Sequence, residues 1–461
     1  MTAAVPLRSH DTKQERVVLC HGVFDLLHIG HIRHLQEARA LGDKLVVSVT
    51  DDCHVHKGIG RPHFGVEERT EALIALDCVD DVIVSESGTA VEIIKTLRPA
   101  FYVKGIDYEG EPSAYLQNEI DAVQSVGGEF RTTTTAKHSS SRLLNAQRFP
   151  ENVTRYLAQA RKRDFADKIK AAFVRADRLK LLFVGETIVD DYCYVSALGK
   201  PSKEFMLATV EERSELFNGG VIAGALHCEW KNSAVLSGGD SLVKSRFIDV
   251  DFSRKLFEVY SARKIAISES ARQAFRSQLA LGIGNSDAVI VMDFGHGLLG
   301  RLERAMFNES KFLAVNAQTN AGNAGFNPVT LYARADVVCV DEPEARLAMS
   351  AQEQPITHVA HGLAHRMSTT RILITRGRNG VVVLDGSMLA EIPAFTTQTL
   401  DTIGAGDAFL ATAAPLVAAG LELEAAAFAG NVAGAIKTTI VGHRRHVKRN
   451  ELMQNIEALL A

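Results

Sequence analysis

The chain has 461 residues, a length that suggests two to four domains of ordinary size. Hydrophobic residues make up 46% and charged residues 23%, as in soluble globular proteins. The formal net charge of -4 excludes a strongly basic nucleic-acid binder on global charge. The apolar run most like a membrane span, 408–421, is shorter than the roughly 20 residues that a span needs and is broken by Pro415. Because the first residues form no apolar signal core and the six cysteines form no CxxC pair, we expect a cytoplasmic protein.

Alternating strands and helices are predicted for the first part of the chain. A short apolar run, 17–20, precedes a glycine-containing turn, and further strand candidates cover 45–49, 81–84 and 100–103. Strands separated by helices are typical of a parallel sheet with right-handed crossovers. We therefore predict a first α/β domain over residues 1–145.

Basic residues dominate the next segment. Residues 151–180 contain nine Lys or Arg against four Asp or Glu, and their apolar residues recur at helical spacing. This pattern predicts a helical, basic linker over residues 146–179. Apolar strand candidates then resume at 181–184, 289–292, 312–315, 337–340, 372–375 and 381–384. We predict a second α/β domain over residues 180–461, so that the fold class is α/β with two doubly wound parallel-sheet domains.

Two histidines lie at the predicted start of the first helix. The segment 21–31, HGVFDLLHIGH, links the first strand to a helix that ends near Gly42. His28 and His31 are therefore expected at a helix N-terminus, where backbone N–H groups and the helix dipole favour phosphate. Gly30 allows the backbone to approach a phosphate closely. Two histidines there can donate hydrogen bonds as negative charge develops on an α-phosphate.

The HIGH segment, 28–31, resembles the motif of the nucleotidyltransferase superfamily. With KGIGRP at 57–62, ER at 68–69, VKGIDY at 103–108 and HSSS at 138–141, residues 17–145 are similar to the nucleotidyltransferase half of the bacterial heptose-phosphate kinase/nucleotidyltransferase enzymes, with reversed domain order. They resemble glycerol-phosphate cytidylyltransferases more distantly. The resemblance implies a Rossmann-like, cytidylyltransferase-like fold and an NTP substrate, with Mg²⁺ on the triphosphate. ATP and CTP both stay open.

The same resemblance implies roles for individual residues. His28 and His31 would stabilise the transition state, and Lys57 would hold phosphates during catalysis. Asp25 would orient the backbone or the substrate. The nucleotide- and phosphate-binding positions would be Val23, Phe24, Gly30, Arg69, Lys104, Ser139 and Ser140.

A second phosphate-binding pattern lies in the segment 401–409, DTIGAGDAF. Its small residues leave backbone N–H groups free at the start of a predicted helix, which favours a transferring γ-phosphoryl group. Asp407 stands where a carboxylate can take a proton from a sugar hydroxyl. The competing motifs GxxxxGK[ST] and GxGxxG are missing from the sequence. The segment resembles the DTxGAGD signature of the ribokinase-like (PfkB) carbohydrate kinases.

Further matches to that kinase family extend over the second domain. The implied substrate-binding residues are Asp190, Gly219 and Gly220. Asp341 and Glu344 resemble the NxxE motif that organises Mg²⁺ through water. The implied nucleotide-binding residues are Gly377, Gly380, Gly404, Ala405, Gly406 and Asn431.

Departures from the kinase pattern concentrate at its sugar-binding end. Glu186, Ala223 and His296 stand where that family has Asp, Asn and Lys, and Asp341 replaces the Asn of NxxE. The segment 316–318, NAQ, replaces the usual Asp-Pro-Lys. Either the substrate differs from the common heptose 7-phosphate or the kinase activity is reduced.

These features predict a bifunctional enzyme of nucleotide-activated sugar biosynthesis, with a heptose as the expected sugar. The kinase would phosphorylate a sugar or sugar phosphate with ATP, and the transferase would couple a sugar 1-phosphate to NTP. One alternative is a monofunctional sugar- or polyol-phosphate nucleotidyltransferase whose kinase-like domain serves binding or dimerisation. Another is an RNA-binding regulator, based only on the basic segment 443–449, which we instead expect to be a solvated helix face. A homodimer is implied only by resemblance.

Overall fold

The computed structural model describes residues 15–55, 61–105, 114–134, 149–199, 206–252, 254–396 and 399–460. Lys57, Ser139 and Ser140, which the sequence assigns to phosphate binding, lie outside the described residues. The chain divides into two compact units, Met1–Arg148 and Phe149–Ala461. Within the described ranges, no helix combines the length and the apolar character needed to cross a bilayer.

The first unit contains a parallel five-stranded sheet. Its strands are β1 (Val17–Gly22), β2 (Lys44–Thr50), β3 (Asp81–Ser85), β4 (Phe101–Lys104) and β5 (Glu129–Thr132), in the spatial order β3-β2-β1-β4-β5. The helices are α1 (Ile29–Arg39), α2 (Val66–Ile74), α3 (Val91–Leu97) and α4 (Ala114–Ser125). The strand order reverses between β1 and β4, and in such sheets ligands bind at the carboxyl ends of the strands beside this reversal.

The second unit contains an eight-stranded sheet in the spatial order β17-β16-β15-β14-β13-β12-β6-β9. The sheet is parallel from β9 to β15, and its last two strands pair antiparallel. The strands are β6 (Leu181–Gly185), β9 (Ser233–Leu236), β12 (Ala288–Asp293), β13 (Leu313–Ala317), β14 (Val337–Asp341), β15 (Arg371–Thr375), β16 (Val381–Asp385) and β17 (Met388–Ile392). Both units are α/β, so the predicted fold class is confirmed.

Ten helices described in the second unit accompany these strands. They are α5 (Glu151–Lys162), α6 (Phe165–Ala176), α7 (Gly220–Leu226), α8 (Glu269–Asn285), α9 (Arg301–Met306), α10 (Glu342–Met349), α11 (Ile356–Arg366), α12 (Ala405–Ala418), α13 (Leu423–Lys437) and α14 (Arg449–Leu460). Helices α12 and α13 consist almost entirely of buried residues. They therefore form a rigid base for the loops at their ends.

A smaller four-stranded sheet in the second unit was not predicted from the sequence. Its strands are β7 (Thr187–Ala197), β8 (Thr209–Gly219), β10 (Leu242–Asp249) and β11 (Arg254–Tyr260), in the order β11-β10-β7-β8. Glu186 alone separates β7 from β6 of the large sheet. Strand β7 therefore follows almost directly from β6, the first strand of the large sheet. This places side chains of the small sheet near the carboxyl end of β6.

The basic segment predicted as a linker forms helices α5 and α6, which lie within the second unit. Their apolar side chains are buried, and Arg163 pairs with Glu422 and Glu424 at 2.6 Å. The buried apolar residues include Val153, Leu157, Phe165, Ile169 and Phe173. The division into 1–145, 146–179 and 180–461 stays a prediction. A substitution in α6 tests whether this helix is part of the folded second unit or a solvated linker.

Phe165→Ala is expected to destabilise the second unit by about 3–5 kcal/mol, because it empties a fully buried aromatic site. Trp230, the only tryptophan of the chain, stacks on Phe173 of the same helix with ring centroids 5.1 Å apart. Denaturant unfolding followed by tryptophan fluorescence therefore reports on this unit. Val174→Ala, at a 57% exposed position of α6, is the matched control and should change stability by less than about 0.5 kcal/mol. Equal effects of the two substitutions would support a solvated linker instead.

Candidate active sites

The N-terminus of α1 brings the two predicted histidines side by side. His28 is the residue before the helix, and its Nδ1 accepts hydrogen bonds from the N–H groups of Gly30 at 3.0 Å and His31 at 3.4 Å. The two imidazole rings stack with centroids 4.0 Å apart. Because Nδ1 of His28 is an acceptor, the proton of the neutral ring resides on Nε2. His28 therefore both caps the helix and keeps a second nitrogen as a donor.

The loop after β1 supports this histidine pair from below. Phe24 adopts a positive φ of 50° and contacts the His31 ring edge-on at 5.4 Å. Asp25 is buried and accepts hydrogen bonds from the N–H groups of His63 at 2.6 Å and Phe64 at 3.0 Å, and it also pairs with Arg61. Asp25 thus ties the segment before α2 to the loop that carries the histidines, which is a backbone-orienting role.

Arg69 lies within the protein instead of facing an open site. Its guanidinium donates to the carbonyls of Val23 at 2.6 Å, Thr50 at 2.9 Å and Phe64 at 3.0 Å, and it pairs with Asp52 at 2.5 Å. These bonds join the carboxyl ends of β1 and β2 to the segment before α2. This geometry is that of a positioning residue, and the phosphate or nucleotide contact implied by resemblance stays a prediction.

Lys104 ends β4, on the other side of the strand reversal from the histidine loop. Its Nζ donates to the His21 carbonyl at 3.2 Å and lies 3.5 Å from the carboxylate of Glu119. Burial lowers the pKa of Lys104, and the nearby Glu119 opposes that shift. Lys104 therefore lies at the crevice between β1 and β4, and the carboxylate of Glu119 partly balances its positive charge.

In the second unit, a cavity of about 1340 Å³ gathers the residues that the sequence assigns to nucleotide and metal. Its lining includes Asp341, Glu344, Gly377, Gly380, Gly404, Ala405, Gly406, Asp407 and Asn431. A second cavity, of about 210 Å³, shares Gln318, Gly404 and Asp407 with the first. Asp407 therefore lies where a large and a small cavity meet.

The helix α12 begins beneath this junction. Gly404 precedes the helix with a φ of +77°, and a Cβ there would lie 2.9 Å from a ring carbon of His443. Glycine is thus required both by the backbone and by the close packing. Asp407 occupies the first turn and accepts a hydrogen bond from Nε2 of Gln318 at 3.2 Å. Burial raises its pKa, while the charges of His443 and Lys437 counteract the shift.

Cationic side chains surround the small cavity. Asp190 accepts from Nε2 of His443 at 3.1 Å and pairs with Arg246. Lys244, on the same strand as Arg246, lies over the ring of Tyr260 with its Nζ 5.0 Å from the centroid. Burial lowers the pKa of Lys244. Arg246 and His443 both engage Asp190, so the ammonium of Lys244 is left to attract a polar substrate that carries negative charge.

The two predicted substrate-loop glycines are explained by close approach to these groups. A Cβ at Gly219 would lie 2.4 Å from a carboxylate oxygen of Asp190. Gly220 has a φ of +62°, and a Cβ there would lie 2.3 Å from the carbonyl oxygen of Glu186. Only glycine lets the backbone pass here.

Asp341 and Glu344 form a reciprocal cap at the start of α10. The Asp341 carboxylate accepts from the Glu344 N–H at 2.7 Å, and the Glu344 carboxylate accepts from the Asp341 N–H at 2.9 Å. Burial, reinforced by Asp341, raises the pKa of Glu344 to about 8, and burial also raises the pKa of Asp341. Two adjacent carboxylates whose charges disfavour each other fit Mg²⁺, which prefers oxygen ligands and retains several waters.

Three of the residues that depart from the kinase family pattern do not line either cavity. The buried Glu186 carboxylate accepts from the N–H groups of Phe294 and His296, each at 3.0 Å, and so holds the loop after β12. Burial raises the pKa of Glu186 to about 7. His296 and Ala223 are buried, and neither lines either cavity. Gln318, in contrast, reaches Asp407 directly.

Several candidate site residues were missed by the sequence reasoning. Lys244 and Arg246 alternate on β10, which was a readable signal once a strand had been assigned there. The basic segment was predicted to be a helix face, and this is wrong for 443–448, which lie in an irregular segment before the last helix. His443 lies in the small cavity, Arg444 pairs with Glu215 at 2.8 Å, and α14 begins only at Arg449.

Comparisons with known proteins agree with this two-part organisation. Residues 19–151 match the profile described as cytidylyltransferase-like, and residues 302–448 match that of the pfkB family carbohydrate kinases. The chain is 41% identical over 133 residues to the bifunctional protein HldE of Geotalea uraniireducens, covering 28% of this chain and 26% of the relative. It is 50% identical over 96 residues to HldE of Geobacter sulfurreducens, covering 20% of each. The matches thus span about a fifth to a quarter of the length of these curated relatives.

A solved structure resembles the second part in fold. The crystal structure of a phosphofructokinase-2 mutant from Escherichia coli matches with a TM-score of 0.51 and 11% identity, over 61% of this chain and 100% of the neighbour. At that identity the likeness concerns the fold alone. Together with the profile matches, it shows that this chain combines a cytidylyltransferase-like domain with a ribokinase-like domain of the pfkB carbohydrate kinase type.

Proposed function

We propose that the chain is a bifunctional enzyme that phosphorylates a sugar phosphate and couples a sugar 1-phosphate to a nucleotide. The observation that carries the proposal is the position of Asp407, where a nucleotide-sized cavity meets a small cavity lined by Lys244 and Arg246. In a kinase, the nucleotide that donates the phosphoryl group and the sugar that accepts it must bind on opposite sides of the catalytic base and the anion hole. HldE relatives are named bifunctional, and a heptose is the sugar that we propose for this chain.

In the kinase reaction, ATP occupies the large cavity with its γ-phosphate at the start of α12. Asp407 takes the proton from a sugar hydroxyl, the sugar oxygen attacks the γ-phosphorus, and ADP leaves. The backbone N–H groups of α12 face the charge that develops on the transferring group. Lys244 and Arg246 bind the anionic end of the acceptor in the small cavity. We place the attacking hydroxyl at the anomeric carbon.

In the transferase reaction, the substrate's own phosphate oxygen attacks the α-phosphorus of an NTP, and pyrophosphate leaves. His28 and His31 donate hydrogen bonds to the pentacovalent phosphorus centre, and Lys104 balances its charge. Lys57, Ser139 and Ser140 are proposed to bind phosphates. ATP and CTP are both proposed as nucleotides.

The experiment that tests the proposal is a substrate panel with the full chain. ADP formation and pyrophosphate release are each measured with hexoses, heptoses and their phosphates, with ATP or CTP. We expect a phosphorylated sugar to drive ADP formation above the ATP-hydrolysis background, and a sugar 1-phosphate to drive pyrophosphate release. Lys244→Met should raise KM for the phosphorylated sugar by about tenfold, while KM for ATP stays constant. A kinase that accepts only uncharged sugars would contradict the anionic-substrate assignment.

A monofunctional transferase is the second candidate, favoured by the changed sugar-binding end. In that case the small sheet serves assembly: Leu216, Phe257 and Val259 expose apolar side chains on it, with Leu216 at 70%. A homodimer through this sheet is compatible with either candidate. Nucleotide binding without sugar-dependent ADP formation across the whole panel would decide for the monofunctional enzyme. A cytoplasmic location is part of both proposals.

Binding of Mg²⁺ with nucleotide is expected to strengthen as pH rises from about 6 to 8. Glu344 has a pKa raised to about 8, so the carboxyl must lose a proton before its charge can hold the metal-bound waters. Asp341 and Glu344 would hold Mg²⁺ through its bound waters, and the ion would supply positive charge to the nucleotide phosphates. Calorimetric titration of Mg²⁺ with ADP should show up to about tenfold tighter binding per pH unit.

Glu344→Gln should flatten this pH dependence, because glutamine keeps the helix cap but has no proton to release. Glu309→Gln, at an exposed position, is the matched control and should retain the slope of the parent. A slope that persists in Glu344→Gln would assign the titration to another group.

A further inference from the structure

A buried lysine lies beneath the anion hole and is absent from the mechanism above. Lys437 is the last residue of α13, and its side chain has no exposed surface. Its Nζ donates to the carbonyls of Ile403 at 2.7 Å, Gly442 at 2.7 Å and Ile440 at 3.5 Å. An ammonium has three donors and no acceptor, so three carbonyl oxygens suit it. The lysine thus has the environment of a bound cation.

The charge of Lys437 is unusual for a fully buried position. Burial of an ammonium is costly and lowers its pKa, while Asp401 and Asp407 raise it. The C-terminal end of α13 carries a partial negative charge, which also favours a cation there. Carbonyl oxygens that converge on one point repel one another unless a cation lies between them. The lysine and the carbonyl cluster therefore stabilise each other.

Both loops that hold Lys437 lead to the phosphoryl-transfer site. Ile403 and Gly404 line the small cavity, and Gly404 is the residue before α12. Gly442 precedes His443, which lines the same cavity. A Cβ on Gly404 would lie only 3.1 Å from Cε of Lys437, so the lysine stem packs directly beneath the loop. The ammonium joins the start of α12 to the turn that carries His443.

We propose that Lys437 is a positioning residue whose tethered ammonium does the work of a bound monovalent cation. It fixes the carbonyls of the 403 and 440–442 loops and adds positive potential behind the anion hole. The inference rests on the proposed kinase function. Its consequence is that the kinase needs no added monovalent cation.

The test compares K⁺ with tetramethylammonium, which is too large for a carbonyl cluster, at constant ionic strength. The parent should turn over equally in both salts. Lys437→Met should lose kcat by about 10²–10³ in tetramethylammonium. Added K⁺, NH₄⁺ or Rb⁺ should raise the kcat of Lys437→Met at least about tenfold, because each of these cations can enter the space left by the lysine. Lys437→Gln, which retains a donor without charge, should resemble Lys437→Met.

Lys311→Met serves as the matched control, since Lys311 is a largely exposed lysine paired with Asp287. The kcat of Lys311→Met should be the same in K⁺ and in tetramethylammonium, as for the parent. More than about threefold stimulation of the parent by K⁺ would overturn the inference, as would a Lys437→Met enzyme within about threefold of the parent in tetramethylammonium. If Lys437→Met does not fold, the response of the parent alone decides between these outcomes.

A structural readout separates this inference from the proposed function. Crystals of Lys437→Met soaked in Tl⁺ should show an anomalous peak between the carbonyls of Ile403, Ile440 and Gly442, and parent crystals should not. A Tl⁺ peak among these carbonyls in the parent would overturn the inference. Failure to find any sugar-dependent turnover in the parent would reject the kinase function, and the thallium result would still decide the role of the lysine.

Discussion

Asp407→Asn is expected to lower sugar-dependent ADP formation by a factor of about 10²–10⁴ while ATP still binds. Asp407 is the carboxylate shared by the two cavities, and burial raises its pKa toward the range in which a base accepts a proton efficiently. Asparagine can still accept the hydrogen bond from Gln318 but cannot take a proton. A coupled ADP assay measures the loss, and calorimetry measures ATP binding.

Asp385→Asn is the matched control, because Asp385 ends β16 and lines neither cavity. It should turn over within about threefold of the parent. Pyrophosphate release by the other domain is an internal check on each preparation. Unchanged sugar-dependent turnover in Asp407→Asn would reject Asp407 as the base, whatever the substrate.

His31→Ala is expected to reduce pyrophosphate release by a factor of about 10²–10³, because it removes one hydrogen-bond donor at the reacting phosphorus. His28→Asn should produce a loss of similar size for a different reason. The asparagine oxygen can accept from the N–H groups of Gly30 and His31 as Nδ1 of His28 does, so the helix cap is retained. What His28→Asn loses is the Nε2 donor.

His365→Ala, at an exposed position of α11, controls for the loss of a histidine as such. Release of pyrophosphate is followed with each NTP and a sugar 1-phosphate. A His31→Ala enzyme within about threefold of the parent, with an unchanged thermal transition, would remove the histidine pair from the transferase mechanism.

The core strands were predictable because buried parallel strands appear as continuous apolar runs. The expected strands at 45–49 and 337–340 correspond to β2 and β14, within a residue at each end. The small sheet was missed for the opposite reason. Strand β8 exposes most of its residues and contains charged side chains, so its sequence lacks the apolar run of a core strand.

Short motifs on one turn were also predictable, because the residues that act together are neighbours in the chain. The HIGH segment and the GAGD segment both begin helices, as expected. Roles that depend on distant partners were not predictable. The phosphate- or nucleotide-binding role of Arg69 stays a prediction, whereas its bonds to Val23 and Thr50 depend on how β1 and β2 pair.

By itself, the sequence determined the fold class of both units and the positions of the two helix starts proposed to bind phosphate, since both depend on apolar patterns and on neighbouring residues. Only the tertiary structure decided what surrounds Asp407. It brings Lys244 and Arg246 from β10, His443 from a turn and Lys437 from α13 to one region. These residues are separated by up to about two hundred positions, and no periodicity links them. They come together because a buried charge is stable only beside partners, and the tertiary packing brings those partners from distant parts of the chain.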